Sequence, residues 1–324
     1  MKYKFICSLQ NIKVDKTMNR GKVIKDNLRI SNSNSKFLQL FGNEDFKKAI
    51  GSIEYDSFEN SHFIYCTGED ENLTIDNHME KINKILVDIQ LFVSSIWILK
   101  DNSVNFKQGY MQLYDGDIYK CTSSNGRAVH FLNAGCEIET INMSEEEIDE
   151  VIEYATSFKI EQNMESYKEK IFLAYNYELK RIEKFLYTLQ MARNQNNVLL
   201  RLSVYSMLAE ILISTNKSSS TQQISTRIAI LLESEYDKRM ELMKFIKEMY
   251  SVRSSIFHGD KLNNTLINKN NYTDFLEHSK KFDYILRKLL LSILNNSELL
   301  LSINDNSEEG KRKIDEYFNR KLFS

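Results

Sequence analysis

An arginine and a histidine lying five positions apart are the residues of this chain whose chemistry fits together best. They are Arg253 and His258, in the stretch Tyr-Ser-Val-Arg-Ser-Ser-Ile-Phe-His-Gly at 250–259. A histidine titrates near neutral pH and can move a proton on or off a ribose hydroxyl or a leaving oxygen. A guanidinium stays charged and can hold a phosphate in its forked geometry. The pair therefore predicts cleavage of RNA without a metal ion.

The spacing of the two residues sets a geometric condition on that chemistry. They end a helix predicted over about 235–257, and five residues of α-helix turn about 500°, leaving the side chains about 140° apart. Gly259 predicts that the helix stops, because glycine readily takes the left-handed conformation after a last turn. We therefore expect His258 to swing away from the regular helical path. The alternative is a surface arginine followed by a histidine that only caps the helix.

Three segments around this pair resemble a known family. They are Leu-Ala-Glu-Ile-Leu-Ile (208–213), Ser-Thr-Arg-Ile-Ala-Ile-Leu-Leu (225–232) and Met-Tyr-Ser-Val-Arg-Ser-Ser-Ile-Phe-His-Gly (249–259). Together they resemble the HEPN superfamily, and most of all its Apea-like HEPN branch, which is often met in bacterial antiviral defence proteins. The resemblance covers about residues 195–262 well and 144–300 loosely, and it does not reach the N-terminal half.

The resemblance implies a helical bundle that forms a homodimer, with both motifs meeting in a cleft across the two-fold axis. It makes Arg253 and His258 the catalytic pair and places Ser254 at the polar position after the arginine. Glu210 takes the acidic position, where it orients Arg253 or braces the bundle. A carboxylate among apolar neighbours needs a partner, and Arg253 or Arg227 could serve. The supporting residues are completed by Gly259 and by Tyr250, which packs the helix or stacks on a base.

The expected function is a cytoplasmic endoribonuclease that needs no cofactor or metal and acts in antiviral defence or toxin-like growth arrest. The expected partners are the RNA substrate, a second copy of the chain, and a phage-derived trigger or regulatory protein. Two alternatives stay open. One is a non-catalytic HEPN scaffold that dimerises or binds RNA or nucleotide, and the other is a regulatory protein whose function lies in the N-terminal half.

Composition and charge narrow these possibilities. The chain has 324 residues, enough for two domains, and a net charge of −2 argues against a protein that coats nucleic acid. Residues 1–30 are basic and residues 137–153 are acidic. This predicts two solvated faces or, for the basic segment, contact with RNA or another acidic partner. The four cysteines contain no Cys-x-x-Cys pair, so reduced, packed thiols are expected. Zinc bound by Cys121, His130 and Cys136 is an alternative whose spacing matches no familiar site.

The first 142 residues are predicted to form an α+β domain that senses a trigger or selects the substrate. Asp115-Gly116 and Asn125-Gly126 predict hairpins, and one long helix is predicted from the apolar stripe Ile75, Met79, Ile82, Leu86, Ile89, Val93 and Ile96. The most apolar stretch, 85–99, is interrupted by polar residues and too short to span a bilayer, so no membrane association is expected. Strands are predicted at Lys2–Leu9, Lys22–Ile30, Ser52–Tyr55, His62–Thr67, Gly109–Leu113, Asp117–Thr122 and Arg127–Leu132.

Residues 143–324 are predicted to form the HEPN-like helical domain. Ser144 and Glu147 form a predicted capping box at its first helix, which should run to about residue 159. The following helices are predicted over about 165–191, 198–213, 224–232, 235–257 and 272–294, with a short amphipathic helix over 307–322.

Overall fold

The computed structural model describes residues 1–157, 179–216, 220–262 and 271–323, which belong to two separately packed units. Among the described residues, the first unit holds 1–131 together with 138–157, and the second holds 132–137 and everything from 179 onward. Strands occur in the first unit, and every described element of the second is a helix. The predicted α+β fold class is therefore confirmed.

A six-stranded sheet lies at the centre of the first unit. Its strands are β1 (Lys2–Gln10), β3 (Lys22–Lys25), β4 (Leu28–Ser31), β5 (His62–Glu69), β6 (Asn105–Asp115) and β7 (Ile118–Asn125), while β2 (Ile12–Val14) and β8 (Ile141–Met143) form a separate parallel pair. The order is β3-β4-β5-β1-β6-β7, and each neighbouring pair is antiparallel. The predicted hairpin at Asp115-Gly116 is confirmed, and Gly116 supplies the positive φ of 59°.

The second predicted hairpin, at Asn125-Gly126, is wrong. Strand β7 ends at Asn125, and the described residues 126–140 contain no strand, so the strand predicted over Arg127–Leu132 is wrong as well. The Asn125 side chain instead accepts a hydrogen bond from the Gly126 amide, at 2.9 Å. The dipeptide therefore ends a strand without starting another.

One face of the sheet is covered by the long helix α4 (His78–Leu99). Most of the predicted stripe is confirmed, because Ile82, Leu86, Ile89, Val93 and Ile96 are fully buried. They share a core with Phe5 and Met111 of the sheet. The first residue of the stripe is wrong, since Ile75 precedes the helix and is 53% exposed. Among the described residues, only α4 has the length and composition of a membrane span, because the helix begins seven residues before the apolar stretch 85–99. Its burial against the sheet is compatible with a soluble protein.

The other face of the sheet is covered by three short helices that the sequence analysis missed. They are α1 (Asn34–Phe41), α2 (Glu44–Ile50) and α3 (Ser52–Phe58). The strand predicted at Ser52–Tyr55 is wrong, because Tyr55 and Phe58 lie three residues apart and are both buried on one side of α3. Ile53, on another side of the same helix, is 87% exposed.

Helix α5 (Glu145–Ser157) follows the predicted domain boundary at residue 142 but packs in the first unit, where Ile148 and Val151 join the core. Its predicted capping box is confirmed, since the Glu147 amide donates to the Ser144 hydroxyl and the Ser144 amide donates to the Glu147 carboxylate. The acidic segment meets part of the basic one, because Lys22 forms an ion pair with Asp149 at 2.7 Å.

The second unit is a helical bundle. Its described helices are α6 (Arg181–Arg193), α7 (Val198–Ile213), α8 (Ser220–Leu232), α9 (Tyr236–His258), α10 (Tyr272–Leu294), α11 (Ser297–Asn304) and α12 (Glu308–Phe323). Helix α7 packs against α6, α8, α9 and α10. The predicted bounds of α7 and α10 are confirmed, and α11 was missed. Of the helix predicted over 165–191, residues 165–178 lie outside the described residues.

Residues 132–137 form a short loop that belongs to the helical unit although the chain on either side belongs to the first unit. Arg201, fully buried on α7, donates to the carbonyl oxygens of Asn133, Arg193 and Gln195. The Ser279 hydroxyl donates to the Ala134 carbonyl at 2.6 Å. Backbone carbonyls inside the bundle are thus satisfied by side chains of two helices, which fixes α7 in place.

Gly109 on β6 gives a test of how α4 packs on the sheet. A Cβ atom there would lie 2.6 Å from Phe5 Cζ and 3.1 Å from Leu86 Cδ2, and both of those side chains are fully buried. We expect Gly109→Ala to lower the free energy of unfolding by about 1–3 kcal/mol through overpacking. Urea unfolding followed by the fluorescence of Trp97, the only tryptophan and buried on α4, measures it.

The matched control is Gly126→Ala, where no atom lies within 4 Å of the added Cβ. It should change the free energy of unfolding by less than about 0.5 kcal/mol. Equal effects of the two substitutions would contradict this packing.

Candidate functional site

The end of α9 carries the predicted catalytic pair, and its termination follows the expected pattern. Gly259 adopts φ 71°, and the amide of Asp260 donates to the Ser255 carbonyl at 2.9 Å while the Gly259 amide donates to Ile256 at 3.3 Å. This is the Schellman arrangement, in which a left-handed glycine closes the last turn. The prediction that the helix stops at Gly259 is confirmed.

The same arrangement corrects the expected position of His258. The glycine takes the left-handed conformation, so His258 remains the last residue of the regular helix and does not swing away. It projects about 140° around the axis from Arg253 and about 7.5 Å along it. Within the part of the chain that the structure describes, no hydrogen bond, ion pair or ring contact links His258 to Arg253. One copy therefore does not bring the two side chains together.

Arg253 is held by a carboxylate from the neighbouring helix. Its Nη1 lies 3.0 Å from Glu210 Oε1, with the arginine side chain 33% exposed and the glutamate 24% exposed. Of the two partners considered for Glu210, the structure pairs it with Arg253, whereas Arg227 forms an ion pair with Asp315. A guanidinium fixed on one side and open to solvent on the other is suited to receive an anion.

Two aromatic rings flank the same guanidinium. Its Cζ lies 5.9 Å from the centre of the Tyr250 ring and 5.8 Å from that of Phe257, distances at which cation–π attraction operates. Tyr250 is buried and its hydroxyl donates to the Ser206 carbonyl at 3.0 Å, so it packs the helix and is not free to stack on a base. Phe257, which the sequence analysis did not single out, is 60% exposed.

The electrostatics of Glu210 reflect its place between two helices. Burial raises the pKa of its carboxyl, and the charge of Arg253 opposes the rise without cancelling it. Burial and the Glu210 charge also raise the pKa of the Tyr250 hydroxyl. The Arg253 charge therefore offsets part of the cost of burying an ionised carboxylate.

The other predicted residues are at the surface. Ser254, His258 and Gly259 are exposed, so solvent reaches the imidazole directly. A cleft of about 400 Å³ is lined by Arg253 together with Glu210, Arg181 and Lys311. The sequence analysis missed Arg181 and Lys311, because only tertiary packing brings them beside α9.

The remaining histidines with described surroundings have structural partners. The Val14 amide donates to His62 Nε2 at 3.0 Å, and burial lowers the pKa of this imidazole. His78 contacts the Ile75 carbonyl and the Ser123 hydroxyl. His278 packs edge-on against the rings of Phe245 and Phe275. Across the described ranges, no three His, Cys, Asp or Glu side chains are grouped to hold a metal ion.

Comparison with protein-family models, with curated proteins and with solved structures gives no match to this chain.

Replacing Glu210 by glutamine tests the balance of burial and charge at the site. Because the folded state raises the carboxyl pKa above its ordinary value near 4.5, folding favours the protonated form. The free energy of unfolding of wild type should therefore fall relative to that of Glu210→Gln as the pH rises from about 4.5 through the raised pKa. Because the group is partly exposed, we expect a fall of about 1 kcal/mol or less.

Urea unfolding followed by far-ultraviolet circular dichroism over a pH series measures this difference. Glu241→Gln, at an exposed position on the same helix as Arg253, is the matched control for loss of one carboxylate. A stability difference that grows in favour of wild type with rising pH would show that the Arg253 charge outweighs burial.

Proposed function

We propose that the helical unit is a metal-independent endoribonuclease of HEPN type that works as a homodimer. The observation that carries the proposal is the ion pair of Glu210 with Arg253, which presents the guanidinium at the end of α9 where the motif places it. An arginine that only keeps the protein soluble needs no carboxylate to orient its side chain. The support is strongest for Arg253, because its position is fixed from two helices.

The proposed chemistry uses the two motif residues in separate roles. The ribose 2′-hydroxyl attacks the neighbouring phosphorus, and the bond from phosphorus to the 5′-oxygen breaks. An imidazole of His258 takes the proton from the 2′-hydroxyl or returns one to the leaving 5′-oxygen. The Arg253 guanidinium stabilises the extra negative charge on the phosphoryl oxygens. The products are a 2′,3′-cyclic phosphate, or the 3′-phosphate formed from it, and a 5′-hydroxyl.

Helical geometry supports a dimer for this chemistry. Arg253 and His258 of one copy diverge by about 140° on a regular helix, so they cannot both reach one phosphodiester. Two copies related by a two-fold axis could face the arginine of one toward the histidine of the other. Exposure of His258 and Phe257 at the end of α9 leaves that surface open to a second copy.

We place the enzyme in the cytoplasm, in antiviral defence or toxin-like growth arrest, with the α+β unit sensing a phage-derived trigger or selecting the RNA. A second candidate is a HEPN scaffold that dimerises without cutting. The observation that favours it is the same ion pair, since Glu210–Arg253 also braces α7 against α9. The two candidates differ in what loss of His258 should do.

RNA cleavage in EDTA separates the candidates. Wild type should cut unstructured single-stranded RNA, and His258→Ala and Arg253→Ala should each slow cutting by at least about 100-fold, the usual contribution of one such group. The ends of the fragments should carry 2′,3′-cyclic phosphate and 5′-hydroxyl groups. Arg312→Ala, at an exposed site on α12, is the control and should cut like wild type.

Equal decay of RNA in all four preparations would identify a contaminant and remove the enzyme assignment. Binding of RNA by wild type and His258→Ala alike, with cutting by neither, would favour the scaffold.

A further inference from the structure

The cleft beside Arg253 gathers cations from three helices. Arg181 comes from the first turn of α6, Arg253 from the end of α9 and Lys311 from α12. Glu210 is the one carboxylate among the residues that line it. The cleft has a volume of about 400 Å³, which is enough for a ligand of several heavy atoms.

Arg181 is the least compensated of these cations. Its Nη1 donates to the Ser214 carbonyl at 2.5 Å, and in the described ranges it has no carboxylate partner. Burial and the like charge of Arg227 lower the pKa of its guanidinium, while Asp315 acts in the opposite direction. A bound anion would relieve this concentration of positive charge.

Capping of α7 accounts for only part of this arrangement. Cations near a helix C-terminus commonly bind its last carbonyls, and Arg227 already donates to the Ile213 carbonyl at 2.6 Å. Arg181 adds a second cation at the same end and also lines the cleft. Lys311 contacts no carbonyl of α7 in the described structure and pairs with Glu308, whose side chain is 89% exposed. Helix capping therefore does not explain why Lys311 faces the cleft.

Polar groups complete the wall. Thr215 and Asn216 line the cleft, and Thr215 is held in place by hydrogen bonds from its hydroxyl to Asp315 and from the Gln223 amide. Charged and hydroxyl-bearing walls suit a phosphate and its sugar better than an apolar ligand.

We propose that Arg181 and Lys311 bind a backbone phosphate of single-stranded RNA next to the phosphate held by Arg253. This inference rests on the proposed ribonuclease function, because it takes Arg253 as the contact to the scissile group. Arg181 and Lys311 are then positioning residues, which fix the strand so that the reacting phosphate stays at the end of α9. The contact is to the backbone and does not select a base.

Binding of an uncleavable RNA tests the inference apart from catalysis. The probe is a fluorescent single-stranded oligonucleotide with every ribose 2′-O-methylated, and anisotropy is measured with the full chain over a series of KCl concentrations. Lys311→Ala should weaken binding roughly three- to tenfold and reduce the slope of log affinity against log salt by about 0.7, the value for one single-strand phosphate. Arg181→Gln, which keeps a donor for the Ser214 carbonyl, should act in the same direction.

Lys313→Ala is the matched control, because Lys313 lies on the same helix, pairs with Glu309 and does not line the cleft. It should bind the oligonucleotide like wild type, and thermal unfolding should show that Lys311→Ala remains folded. If Lys311→Ala and Lys313→Ala have the same affinity and salt slope, the phosphate subsite is overturned.

Further outcomes separate this inference from the ribonuclease proposal. Weakened binding by Lys311→Ala in a protein that does not cut RNA would support the subsite and reject the nuclease. Cutting of RNA by wild type, with unchanged RNA binding by Lys311→Ala, would support the nuclease and overturn the subsite. Inorganic phosphate that raises the thermal midpoint of wild type but not of Lys311→Ala, with unchanged oligonucleotide binding, would assign the cleft to a free phosphate and overturn the RNA contact.

Discussion

The ion pair between Glu210 and Arg253 joins the last turn of α7 to the last turns of α9, and the geometry of the candidate site depends on it. The Arg253 guanidinium lies 3.0 Å from the Glu210 carboxyl, and its charge opposes the rise in the carboxyl pKa that burial causes. Partly buried pairs of this kind contribute little net stability but limit the positions of their partners. The pair thereby fixes the direction in which Arg253 presents its remaining donors.

The regularity of α9 is the second constraint. Its glycine stop at Gly259 leaves His258 inside the helix, on a different face from Arg253. A single copy thus orients the arginine but does not bring the histidine to it. If the two side chains act together, the missing partner has to come from outside the chain, and a two-fold symmetric second copy supplies one without any new sequence feature.

Long elements were predictable because apolar residues recur over several turns, as in α7 and α10, whose bounds the sequence analysis obtained. The contact of Glu210 with an arginine followed from one carboxylate among apolar neighbours. The helices α1–α3 were not predictable, since each spans eight residues or fewer and periodicity has little room to show. Arg181 and Lys311 were missed for another reason: each is an ordinary surface cation until packing brings the helices together. The catalytic roles of Arg253 and His258 stay predictions.

Mixing two inactive variants tests most directly whether Arg253 and His258 act across a dimer. Arg253→Ala and His258→Ala copies are co-expressed with different tags, and RNA cleavage is measured for the mixture and for each variant alone. A site shared between copies predicts recovery, because one of the two sites in a mixed dimer keeps both groups, giving about a quarter of wild-type activity for random pairing of a symmetric dimer. Mixed dimers that form but cut no faster than either variant alone would contradict the account.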